Sequence, residues 1–124
     1  MPENRKPATS SLPPLERQLA EKLLTAFCEA RIPAEYRDEV RLEHKIRGRS
    51  ITLFECRPHW RDASQPWSHM PVAQMRFDPD GHCWKLFCSD RNGKWWSYEP
   101  FPAAKKLEEL IEEIDVDPNA AFWG

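Results

Sequence analysis

The stretch Val40-Arg41-Leu42-Glu43-His44-Lys45-Ile46-Arg47-Gly48-Arg49-Ser50-Ile51-Thr52-Leu53-Phe54-Glu55-Cys56-Arg57 decides how the chain folds. Val40, Leu42, His44 and Ile46 alternate with Arg41, Glu43, Lys45 and Arg47, and a period of two marks a half-buried strand. Gly48-Arg49 offers a two-residue connection with glycine first, as a type II′ turn prefers, so 50–57 returns antiparallel. That turn fixes the pairing. Arg47 lies opposite Ser50, Ile46 opposite Ile51, His44 opposite Leu53, Leu42 opposite Glu55 and Val40 opposite Arg57. Opposed residues share a face. One face of the ribbon therefore carries Val40, Leu42, Ile46, Ile51 and Leu53 together with His44, Glu55 and Arg57. The other holds Phe54 and Cys56, a suitable place for a buried thiol.

Downstream, 72–77 reads as a third strand and Asp78-Pro79-Asp80-Gly81 as a turn. Residues 83–89 form a fourth strand, Asn92-Gly93 a hairpin turn and 95–99 a fifth strand. With Asn92-Gly93 as a two-residue turn, Phe87 faces Tyr98, Cys88 faces Ser97, Ser89 faces Trp96 and Asp90 faces Trp95. That register sets Phe87, Trp96 and Tyr98 on one face and Trp84, Leu86 and Trp95 on the other.

Helices flank the strands. Over 12–31 the residues Leu15, Leu19, Leu23, Phe27 and Ala30 recur every three or four positions, a helix with one buried stripe. Ser11 is placed to cap it, Pro13 and Pro14 fit its first turn, and Pro33 closes it. Pro100 and Pro102 end the sheet. A last helix over about 103–115 carries the stripe Leu107, Leu110, Ile111 and Ile114, and Pro118 stops it. Residues 1–11 read as a disordered leader and 12–124 as one domain. Strands in a run between two helices, without β-α-β alternation, predict an α+β fold: an antiparallel sheet of four to five strands with one layer of helices on one face.

Charge is unevenly spread around a net −2. Between residues 41 and 61, Arg41, Lys45, Arg47, Arg49, Arg57 and Arg61 outweigh Glu43 and Glu55. Between 105 and 117, six acids outweigh two lysines. One hairpin is basic and the last helix acidic. No run approaches a membrane span and the first residues lack a signal peptide's apolar region. Four cysteines without a dense framework suit a reducing compartment, so a cytoplasmic protein is expected.

Motifs for chemistry are sparse. There is no Cys-x-x-Cys, and Cys83 and Cys88, five apart, point to opposite faces of a strand, so no metal site and no cofactor are expected. The nucleophile-elbow, P-loop and dinucleotide fingerprints are absent, and no catalytic residue is assigned. His44, Glu55 and Arg57 form a polar cluster on an otherwise apolar face, able to serve as a satisfied margin or as an acid/base or metal site. Glu55-Cys56-Arg57 also resembles, loosely, the Glu-x-Lys strand of metal-dependent nucleases. That pattern wants a second acid from the preceding strand, and here Glu43 falls on the opposite face.

The loop 58–71 holds His59, Trp60, Arg61, Trp67 and His69. Arginines bracketing an indole can stack on a base and neutralise a phosphate. The strings Leu53-Phe54-Glu55-Cys56-Arg57-Pro58 with Trp60, Pro71-Val72-Ala73, Tyr98-Glu99-Pro100, Leu107-Glu108-Glu109 and Phe122-Trp123-Gly124 together resemble a family of small bacterial proteins known only as a domain of unknown function. The resemblance spans about 15–124 and implies a bacterial stand-alone domain; it brings no activity. The expectation is a non-enzymatic binding module, a monomer or homodimer, holding single-stranded nucleic acid or another anionic ligand through Arg49, Arg57, Trp60, Arg61, Trp67, Trp96 and Tyr98. The alternatives are a protein-interaction module and a small metal-dependent hydrolase using Glu55 and His44.

Overall fold

The computed structural model describes residues 11–59, 61–62 and 64–124. Apart from Ser11, the expected leader lies outside them, as does Trp60. Helix α1 (Pro14–Arg31) and a 3-10 turn (Ala34–Tyr36) precede β1 (Arg41–Arg47), β2 (Ser50–Arg57), β3 (Ser68–Asp78), β4 (Cys83–Ser89), β5 (Trp95–Ser97) and β6 (Ala103–Ala104); α2 (Leu107–Val116) follows. The fold is α+β. The strands form one antiparallel sheet in the order β1-β2-β3-β4-β5, with β6 added beside β5 on the edge of β4.

The first hairpin has the register read from its turn: Arg47 pairs with Ser50, Ile46 with Ile51, His44 with Leu53 and Leu42 with Glu55. Gly48 takes φ 59, the left-handed value the first turn position demands. Val40 sits just before the strand and makes no ladder pair.

The second hairpin is one residue out from expectation. Phe87 pairs with Ser97, Cys88 with Trp96 and Ser89 with Trp95. The turn is longer than Asn92-Gly93: the Gly93 amide donates to the Asp90 carbonyl at 3.0 Å and the Asp90 amide to the Lys94 carbonyl at 3.0 Å. Gly93, with φ 80, is the left-handed third loop residue. Asp90 Oδ1 accepts the amides of Asn92 (2.8 Å) and Lys94 (2.9 Å), which holds this wider loop together. A slip of one exchanges faces, so Trp95 goes with Phe87, and Trp96 and Tyr98 go with Trp84 and Leu86.

Strand β3 begins at Ser68, four residues before the predicted start. A bulge hides those residues from a period-two reading: Leu53 pairs with Ala73 but Phe54 with Pro71, leaving Val72 over. Pro71 has no N–H for a ladder, and such an irregularity is where a sheet tolerates proline.

The helices cover one face. The core joins Ile51, Leu53, Ala73, Met75, Phe77, Trp84 and Leu86 from the sheet to Ala20 and Leu24 of α1 and Leu107, Leu110 and Ile114 of α2. The α2 stripe is as expected, with Ile111 partly buried. The α1 stripe is rotated. Ala20, Leu23, Leu24, Phe27 and Cys28 face inward, while Leu15 is 79% exposed and Leu19 42%. A strict four-residue repeat gains 40° on each step of the 3.6-residue helix, so a run from Leu15 to Phe27 winds off any single face. Ser11 makes no cap; Pro13 occupies the N-cap with ψ 147, because a residue before proline avoids the helical region. Residues 103–104, expected in the last helix, instead extend along β4, and the Pro102 carbonyl accepts the Leu86 amide at 2.9 Å.

The C-terminus is tied down by one carboxylate. Asp117 ends α2 at φ 48, and its Oδ1 accepts the amides of Ala121 (2.8 Å) and Phe122 (3.2 Å) while Oδ2 accepts that of Trp123 (2.9 Å). Phe122 thereby packs on Tyr98, the Trp123 indole donates to the Ile114 carbonyl at 2.7 Å, and Arg31 of α1 lies 4.1 Å over the Trp123 ring.

Candidate functional site

The sheet face turned away from the helices follows from the same alternation. On it lie Arg41, Glu43, Lys45 and Arg47 of β1, Thr52, Phe54 and Cys56 of β2, His69, Gln74 and Arg76 of β3, Lys85 and Phe87 of β4, and Trp95 of β5. Phe87, Trp67 and Phe54 meet cations there instead of a helix. The Arg76 guanidinium lies 3.7 Å over Phe87, Arg41 lies 3.9 Å over Trp67 and the Lys45 ammonium sits 5.5 Å from the Phe54 ring. Arg76 Nε donates to Gln74 Oε1 at 2.6 Å and the Gln74 amide to Thr52 Oγ1 at 2.9 Å, a chain across β2 and β3 that holds the guanidinium flat. Two shallow recesses open here. One of about 370 Å³ is lined by Arg49, Ser50, Arg76, Lys85 and Phe87 with Asp78 and Asp80; the other, of about 270 Å³, by Lys45, Arg47, Thr52 and Phe54.

The residues proposed from sequence divide between the two faces. Arg49 and Trp67 belong to the open face. Tyr98 is in the core, 2% exposed, its hydroxyl donating to Glu113 Oε2 (3.0 Å) and accepting from Asn119 Nδ2 (2.9 Å). Burial raises the pKa of that phenol. Trp96 is 51% exposed on the helix side of the sheet, its indole donating to Asp90 Oδ2 at 2.9 Å. Arg57 is exposed at the end of β2 and is spent on Glu55, Nη2 to Oε2 being 2.6 Å, and Arg61 is exposed in the connection between β2 and β3. His44 turns to α1, where Nε2 meets Glu21 Oε1 at 3.0 Å. The His44–Glu55 diagonal therefore forms no acid/base couple: each side chain is paired elsewhere. Glu43 lies opposite Phe54, on the other face from Glu55, so the two-carboxylate arrangement of the nuclease pattern is not formed.

A cluster not read from the sequence occupies the β1–β3 end of the open face. Glu43, Cys56 and His69 bring one donor atom each to within 4.8 Å of one another. Cys56 is fully buried, and burial first, then the Glu43 charge, pushes its thiol up to about 11. It is a protonated thiol at neutral pH, unsuited to nucleophilic attack. Cys28 behind it is pushed up to about 12, chiefly by burial.

A family model for a domain of unknown function, DUF3024, matches residues 12–124. The chain belongs to the DUF3024 family. Neither the curated proteins nor the solved structures gave a match. In this DUF3024 chain the strings that carried the resemblance have structural work: Leu53 is core, Glu55 and Arg57 pair, Pro71-Val72 is the bulge, and Phe122-Trp123 is the latch on Tyr98 and α2. Arg76 and Phe87, absent from those strings and from the sequence-derived site, are the centre of the open face. Their signal was available: both sit at polar-side positions of strands whose alternate residues, Met75 and Leu86, are fully buried.

Proposed function

We propose that this protein is a binding module for single-stranded nucleic acid, and that the open face of the sheet is its binding surface. The supporting observation is a set of five cations, Lys45, Arg47, Arg49, Arg76 and Lys85, around two accessible phenyl rings, Phe54 and Phe87. Single strands are held by stacking bases on aromatic or guanidinium planes while lysines and arginines contact the phosphates. Arg76, flat over Phe87, offers such a plane. A cation over an exposed ring contributes only about 0.5–1 kcal/mol, so a base can take its place or stack beyond it. Two acids of this face are engaged, Asp78 with Lys85 at 3.6 Å and Glu43 with His69 at 3.1 Å, while Asp80 is exposed at the rim of the larger recess. The acidic residues of α2 lie across the sheet, which reconciles a net charge of −2 with a local positive surface.

No described helix is long and apolar enough to cross a membrane. The test is fluorescence anisotropy of labelled single-stranded DNA and RNA at about 50 and 200 mM salt. Binding should weaken steeply with salt and fall in Phe87→Ala by a stacking contribution of about 1–3 kcal/mol. Trp96→Ala, on the other side, should bind as the parent does. Salt-insensitive binding, or loss in Trp96→Ala with Phe87→Ala unaffected, contradicts the proposal.

A further inference from the structure

Glu43, Cys56 and His69 stand on three adjacent strands, β1, β2 and β3. The ladder sets Cys56 directly opposite His69, and Arg41 opposite Cys56 places Glu43 on the diagonal. Their donor atoms converge although the residues are 13 positions apart at the least. Register and side-chain alternation build this group, and no local motif announces it.

The hydrogen bonds around it orient its ring and carboxylate. His69 Nδ1 is 3.1 Å from the Trp67 carbonyl, which can only accept, so Nδ1 carries a proton and donates. Nε2, the other ring nitrogen, faces Glu43 Oε1 at 3.1 Å. A single cation, a proton or a metal ion, can join two such atoms. Bonds of about 2.0–2.1 Å from one ion span that gap at an angle near 100°, close to tetrahedral. The Cys56 sulfur completes the donor set, and in a tetrahedron of such bonds neighbouring donors sit about 3.3–3.8 Å apart. The three donor atoms here lie within 4.8 Å of one another, so binding has to draw the widest pair together by no more than roughly 1–1.5 Å.

Support for the ligands is also present. The Trp67 ring lies under the Arg41 guanidinium, and Arg41 Nε donates to the Arg37 carbonyl at 2.9 Å. This fixes the carbonyl that orients His69, the kind of outer contact that tunes metal ligands. The Phe54 ring packs edge-on against the imidazole at 5.9 Å.

We propose that Glu43, Cys56 and His69 form a binding site for Zn²⁺. One thiolate, one imidazole and one carboxylate are a mixed donor set suited to that ion. On binding, the Cys56 thiol proton and any proton shared by His69 and Glu43 pass to solvent, and three metal–ligand bonds form. The side chains of Glu43 and His69 are 43% and 35% exposed, so the fourth position falls on the solvent side and takes water. The site stands independently of nucleic-acid binding.

The experiment is titration of the metal-free full chain with Co²⁺, read by absorption, followed by displacement with Zn²⁺. A thiolate ligand gives a sulfur-to-cobalt charge-transfer band in the near ultraviolet, and four-coordination gives intense visible bands. The proposal requires one Co²⁺ per chain, bands removed by Zn²⁺, and loss of the charge-transfer band in Cys56→Ser. Since Cys56 is buried, the exposed His69→Gln is the companion variant: its circular dichroism should match the parent while its Co²⁺ affinity falls at least about tenfold. Absence of a charge-transfer band at saturating Co²⁺, or a band that survives in both variants, overturns the site.

Discussion

Ile51, Leu53, Met75 and Leu86 alternate with Thr52, Phe54, Gln74, Arg76 and Phe87 along the same three strands, yet the two sets have opposite fates. The first set is at most 1% exposed beneath two helices. The second is part-exposed, its rings lidded by guanidinium and ammonium groups. A helix lid is fixed by burial of many side chains at once, whereas a cation lid rests on one weak contact per ring and, at Arg76 and Arg41, a hydrogen bond from Nε. The difference separates stability from recognition: one face holds the molecule together and the other can exchange its partners.

The contrast breaks most visibly on β4. Trp84→Ala, at 2% exposure, should lose about 3–5 kcal/mol in urea unfolding, a large share of a typical domain's stability of about 5–15 kcal/mol. Phe87→Ala, three residues along on the open face, should lose about 1 kcal/mol or less. Comparable losses at both would mean that the open face is core after all. The latch comes next. Asp117→Ala removes an acceptor of three backbone amides and should cost about 1.5–3 kcal/mol, read as a lowered Tm, while leaving open-face binding unchanged.

Arg76→Ala should do the reverse. Its unfolding midpoint should shift little, while its affinity for single strands falls and the salt slope drops by about one. The smallest effect concerns Asp90. Its carboxyl lies below the usual value, first because the Trp96 indole donates to it and then because the Lys94 amide does. A folded pKa below the unfolded one means the turn is held fully above the ordinary carboxylate range and released only as pH falls through the lowered value. The Trp96 indole signal in NMR should therefore hold steady down to about pH 4 and move only in stronger acid. Movement already near pH 6 would point to another titrating group.

The fold was largely legible because its deciding feature is local. Gly48 sets a two-residue turn, and every pair from Arg47–Ser50 to Leu42–Glu55 follows from it. The second hairpin was misread for an equally local reason. Asn92-Gly93 resembles a two-residue turn, but the Asp90 side chain, by accepting the Asn92 and Lys94 amides, makes the three-residue loop the better-bonded choice. One residue of slip carried Tyr98 from the expected binding surface into the core. Pro71 likewise hid the start of β3. The site was less legible than the fold. Cys56 and His69 meet only through the β2–β3 register, which no turn announces because residues 58–67 separate the strands. Phe54 and Cys56 were correctly placed on one face, but their neighbours on β3 were out of reach.

The most direct test of the open face as a binding surface is backbone and side-chain chemical-shift mapping of the isotope-labelled protein with a short single-stranded oligonucleotide. Shifts should concentrate at Lys45, Thr52, Phe54, Gln74, Arg76 and Phe87, leaving Leu15, Trp96 and the α2 signals in place. A map centred on α1 or on the Trp96 side of the sheet, with the Arg76 and Phe87 signals unmoved, would contradict it.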